Sequence, residues 1–112
     1  MSADCSKIEE LSLEEQMLEI ERGLTCMLDN MDAEGLILKY VLEKNGNVIE
    51  CVVVEVDDRK DVVDITDDIN TTLVELAGQV GLLLSILENS LEVVVASKQT
   101  VDGFELLSKH GL

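Results

Sequence analysis

Asn45-Gly46 lies between two aliphatic, β-branched runs, L-I-L-K-Y-V-L-E-K and N-V-I-E-C-V-V-V-E-V, and no other feature restricts the fold of this chain as much. A type I′ turn needs positive φ at both central residues, which Asn-Gly supplies at least cost. The pattern predicts a β-hairpin over 36–56, with strands at 36–44 and 47–56. Plain alternation puts Leu36, Leu38, Tyr40 and Leu42 on one face of the first strand, opposite Ile37, Lys39, Val41 and Glu43. On the second, Val48, Glu50, Val52, Val54 and Val56 oppose Ile49, Cys51, Val53 and Glu55. Both faces are apolar toward the middle, as in a sheet covered on both sides or one that gives a face to a partner.

The next strongest pattern is T-D-D-I-N-T-T-L-V-E-L-A-G-Q-V-G-L-L-L-S-I-L-E, residues 66–88. Ile69, Leu73, Leu76, Val80, Leu83 and Leu87 share one helical face. Thr66 can cap the start, and Asp67 and Asp68 suit the positive end of a helix dipole. Leu82, Leu84 and Ile86 add apolar residues on the other faces, which predicts a central helix at 67–88 buried on more than one side. Gly78 and Gly81 within it suggest close approach of another backbone, from the sheet or from a second subunit.

Around these two units the rest of the chain falls into place. Ser12 with Glu15 forms a capping box, and Leu13, Met17, Ile20, Leu24, Met27 and Met31 continue it as an amphipathic helix to about Met31. Gly23 interrupts that stripe, and a close helix contact would explain it. Asp57–Asp61 reads as a polar turn, and 62–65 as a short edge strand or an extended lead-in. Leu91–Ala96 reads as a strand. Residues 98–112 fit either a final strand over 103–107 or a helix from Thr100, with Lys109 and His110 favouring the helix. The expectation is one α+β layered domain over 1–112, in the order α-β-β-(β)-α-β-(β or α), with an antiparallel sheet and a disordered stretch at 1–11.

Composition narrows function mainly by exclusion. The formal net charge of -16, from 24 acidic against 8 basic residues, opposes nucleic acid and anionic membranes and permits basic protein partners. Tyr40 and Phe104 are the whole aromatic complement, so stacking platforms for bases or sugars are missing. Cys5, Cys26 and Cys51 are far apart, with no C-x-x-C and no nearby histidine in sequence, so neither a zinc nor a redox site is expected. Three unpaired thiols, no signal-peptide pattern and no apolar run of bilayer length predict a cytoplasmic, soluble protein without membrane insertion.

Candidate sites are weak. The carboxylates of Asp57, Asp58, Asp61, Asp64, Asp67 and Asp68 could hold a divalent cation, but the EF-hand pattern is absent and a solvated loop and cap is the better reading. His110 sits three residues from the chain end, where a catalytic base lacks an orienting partner. The carboxylates around Cys51 and Cys26 should raise rather than lower their pKa values. Without a nucleophile–base pair, metal cluster or phosphate loop, the sequence predicts a non-catalytic protein-binding or adaptor domain with no cofactor, working as a homo-oligomer or inside a larger complex. Val52, Val54, Gly78, Gly81 and Leu82 are the candidate interface residues.

The helix, the G-L-I-L-K-Y-V-L-E-K-N-G-N-V-I-E hairpin, the long apolar helix and then L-E-V-V-V-A resemble, in order and length over about residues 13–107, the Roadblock family of dynein light chains and small-GTPase regulators. The resemblance implies a layered α/β fold, dimerisation through the second helix and an edge strand, and an adaptor or GTPase-regulator role without catalytic residues. Two other readings stand beside it. One is an acidic secretion-type chaperone that holds a partner segment on an apolar surface. The other is a small enzyme or divalent-metal regulator using the 57–68 carboxylates.

Overall fold

The computed structural model describes residues 11–112; apart from Leu11, the expected disordered stretch at 1–11 lies outside them. The elements run α1 (Leu13–Ala33), β1 (Lys39–Asn45), β2 (Val48–Val56), α2 (Asp61–Val80), α3 (Leu84–Ser90), β3 (Glu92–Ser97) and α4 (Val101–Lys109). The α+β class and the order of the main elements are as the sequence predicts.

Helix α1 starts on the expected capping box: the Ser12 hydroxyl accepts from the Glu15 N–H, and Glu15 reaches back to the Ser12 N–H. Its buried stripe is Met17, Ile20, Leu24, Leu28 and Met31. Leu13, by contrast, is exposed.

The sheet is a three-stranded one in the order β1-β2-β3. β1 and β2 form the Asn-Gly hairpin, with Gly46 at φ 64°. β3 pairs with β2 in parallel, which corrects the expectation of an all-antiparallel sheet. The reason is the connection. Two helices carry the chain back across the sheet before β3 begins, as a parallel pair requires. Ser97 ties off the far end of the pair, its hydroxyl donating to the Asp57 carbonyl at 2.8 Å.

Residues 62–65, read as a strand or lead-in, are the first turns of α2. The expected single helix over 67–88 is two helices. Gly81 adopts φ 73° and ends α2, and the Leu82 N–H closes back on the Ala77 carbonyl at 2.9 Å. Leu83 is extended and α3 follows. The break turns Leu82 and Leu87 into the core and leaves Leu83, Leu84 and Ile86 exposed, so the all-round apolar character marks uncovered surface, not burial on several sides. Residues 98–112 take the helical option, capped by the Thr100 hydroxyl, which accepts from the Gly103 N–H at 2.9 Å.

Two apolar layers hold the domain. Val52, Val54 and Val56 pack with the α1 stripe, with Ile65, Ile69, Leu73 and Ala77 of α2, and with Leu87 of α3. On the opposite face of the sheet Cys51, Val53 and Ala96 pack with Leu107 of α4. Each fully buried valine or leucine contributes about 1.5–3 kcal/mol by leaving water. A charge at Val53, at 0% exposure on the thinner α4 side, would open that layer.

The faces of β2 depart from plain alternation at one point. Glu43 faces Cys51, but Lys44 faces Ile49, so Glu50 is an extra residue in a β-bulge. Without it Glu50 would point into the main core beside Val52. The bulge leaves Glu50 in water and moves Ile49 into the main core, while Cys51 stays on the α4 face.

Candidate functional site

Val52 and Val54 are wholly buried beneath α1 and α2, and Leu82 is also covered, so within this fold none of the three offers surface to a partner. Gly78 and Gly81 are exposed, and an added Cβ would meet nothing within 4 Å, so among the described residues no other backbone lies against them. Gly81 is required by its left-handed backbone. The carboxylates of 57–68 spread along a turn and the outer side of α2. Asp58 accepts from the Lys60 N–H at 3.0 Å, and among the described residues this run does not gather into a three-ligand group. The six-residue set thus behaves as turn and helix-start chemistry.

Among the described residues, no strand pairs with the outer edge of β3. β1 and β3 are both edge strands. β1 carries Lys39, Glu43 and Lys44, charges that discourage pairing with another strand. β3 reads E-V-V-V-A-S, with Val93, Val94 and Val95 half-buried and no charge between Glu92 and Lys98. Two hollows flank it. One, about 270 Å³, lies between α2 and α3 and is lined by Asn70, Leu73, Val74, Leu84, Leu87 and Val93, among others. The other, about 380 Å³, lies between α2 and α4 and includes Val63, Val95 and Leu106. Val63, Val74 and Leu84 are exposed at 65%, 50% and 40%, so among the described residues the strand edge runs through an exposed apolar band.

The α4 face carries a second arrangement, which sequence reasoning did not anticipate. Glu43, Cys51 and Glu92 stand side by side across the three strands, by the antiparallel register on one side and the parallel register on the other. The last turn of α4 brings His110 over them, its Nδ1 2.8 Å from Glu43 Oε2. One ligand atom each from Glu43, Cys51 and His110 lie within 4.8 Å of one another. The tail is not frayed: the Leu112 N–H donates to the Leu107 carbonyl at 2.8 Å, and Leu107 is fully buried.

Burial, the negative charges of Glu43 and Glu92, and hydrogen bonds to them push the Cys51 thiol up from its ordinary 9.0 to about 11. A thiol kept protonated at neutral pH and only 5% exposed is a poor nucleophile. Cys26 is exposed on α1, and Cys5 lies outside the described residues.

No helix among the described residues is long and apolar enough to cross a membrane. Comparison of the chain with protein-family models, characterised proteins and solved structures gave no match.

Proposed function

We propose that this domain is a non-catalytic protein-binding module that receives an extended, basic and apolar segment of a partner protein along the free edge of β3. The observation that carries the reading is the contrast between the two sheet edges: β1 is guarded by charge, while β3 presents three valines between two apolar hollows. An unpaired strand edge gives a partner main-chain hydrogen bonds, and the flanking hollows give its alternate side chains somewhere to go. The partner's chemistry follows from charge. The net charge of -16 repels a second copy of this chain and attracts lysine and arginine, so a basic partner is favoured over a homodimer. An adaptor role in small-GTPase regulation is the finer form of this proposal and rests on the resemblance in element order alone.

The test uses two synthetic peptides, one alternating valine with lysine and one alternating valine with glutamate, titrated into isotope-labelled full-length protein. Amide shifts confined to β3 and the facing sides of α2 and α3, with the basic peptide only, are the expected result. Val74→Glu and Leu84→Glu should abolish them. Both positions are already exposed, so stability should move by no more than about 0.5 kcal/mol. Shifts with both peptides alike, or shifts centred on β1, overturn the reading.

A further inference from the structure

We propose that Glu43, Cys51 and His110 form a binding site for a divalent ion of the zinc type, which fastens the C-terminal helix to the hairpin. Its three ligands come from the hairpin and the end of α4, so it does not rest on a partner binding along β3.

The donor set selects the ion. A thiol sulfur, an imidazole nitrogen and a carboxylate oxygen together suit a borderline-soft cation, whereas calcium and magnesium take oxygen alone. Tetrahedral zinc, with bonds of roughly 2.0–2.3 Å, puts its ligand atoms about 3.3–3.6 Å apart. The three donors are already within 4.8 Å of one another, so small side-chain rotations bring them to that spacing. Of the three side chains, that of Glu43 is 40% exposed and has room to turn, while that of His110, at 16%, is anchored by the last turn of α4.

The backbone builds the site from positions far apart in sequence. The bulge at Glu50 keeps Cys51 in register with Glu43 on the α4 face. The parallel pairing places Glu92 beside Cys51, its Oε1 3.9 Å from Sγ, where it or a water can complete the coordination. Among the described residues Glu92 has no ion pair, and the only cationic group paired with Glu43 is His110, which is cationic only when protonated. Two carboxylates beside a thiol therefore face no permanent positive charge, and a dication answers that. Binding releases the Cys51 proton, and any proton on the coordinating nitrogen of His110, to solvent.

The test uses full-length protein with Cys5→Ser and Cys26→Ser, which leaves Cys51 as the sole thiol, and Co²⁺ as the spectroscopic probe. A thiolate-to-cobalt charge-transfer band that saturates at one equivalent, is bleached by Zn²⁺ and vanishes in Cys51→Ser is the expected result. His110→Ala changes a residue just past the helical residues of α4, whose buried positions are Gly103 and Leu107, and should leave the fold intact by circular dichroism while weakening Co²⁺ at least about tenfold. Zn²⁺ should raise the melting temperature of the parent and not of His110→Ala. Absence of the band at saturating Co²⁺, or a band and affinity unchanged by His110→Ala, overturns the proposal; the second result would mean adventitious binding at the thiol alone.

Discussion

A β-carbon added to Gly23 of α1 would lie 2.5 Å from Leu76 Cδ2 on α2, so the glycine leaves room that the Leu76 side chain occupies. The Leu76 tip can turn away, and alanine gains about 1 kcal/mol of helix propensity over glycine. The two effects oppose each other, and Gly23→Ala should change stability by less than about 1 kcal/mol. Gly23→Val adds branches that Leu76 cannot evade and should cost about 1–3 kcal/mol. Urea denaturation of the three proteins checks the ordering. A valine variant as stable as the parent would show that the helix pair is looser than described.

Three other glycines should separate by sign. Gly103 has the Ser97 carbonyl where its Cβ would go, so Gly103→Ala should prise α4 from the sheet at a cost of about 1–3 kcal/mol. Gly81→Ala should cost about 1–2 kcal/mol because φ is 73°. Gly78 is helical with open space around it, and Gly78→Ala should stabilise by about 0.5–1 kcal/mol. Thermal melts of the single variants are sufficient. A destabilising Gly78→Ala would point to a backbone contact this fold does not contain.

Tyr40 offers a pH-dependent check. Its hydroxyl donates to Asp29, and that hydrogen bond, with burial and the nearby negative charges, raises its pKa from 10.0 to about 12. A raised folded-state pKa means the interaction stabilises fully below about pH 10 and is lost as pH climbs through about 12. Tyr40 is the only tyrosine, so tyrosinate absorbance reports it alone. Asp29→Asn should bring the midpoint down toward 10. A parent midpoint already near 10 would mean the bond is not held in solution.

Cys51 and Cys26 should differ toward a thiol reagent at neutral pH. Cys26 is exposed and Cys51 is buried between carboxylates, so Cys26 should react at least about tenfold faster. Peptide mapping after brief alkylation reads this directly, and equal labelling would contradict the packing of α4 over Cys51.

The hairpin, the α1 cap and the α+β order were legible because each rests on a local rule. Asn45-Gly46 needs only its own turn, and Ser12 with Glu15 needs only one turn of helix. The helix break at Gly81 is also written locally, as a glycine before an apolar triplet, but the same pattern fits a glycine at a close backbone contact, and only the positive φ tells the two apart. The bulge was not legible. Val48–Val56 alternates acceptably in either phase, and only the cost of pointing Glu50 into the core decides between them. The Glu43–Cys51–His110 cluster depends on that bulge and on a C-terminal segment whose sequence suited strand or helix almost equally. Residues so far apart in the chain are brought together by tertiary packing, which no short-range pattern encodes.

The parallel seating of β3 also carries a consequence for how the chain reaches this fold. The hairpin can close by itself, but β3 joins only after residues 57–91 have crossed the sheet, and such long-range pairing is slow. Until then the inner edge of β2, V-I-E-C-V-V-V-E-V, has no partner and would template aggregation between nascent chains. The net charge of -16 opposes such association by repulsion between chains. Refolding yield at fixed protein concentration should therefore fall as salt screens that repulsion, even though the folded protein gains stability from the same screening. In this view the acidity belongs to the folding pathway as much as to the finished surface.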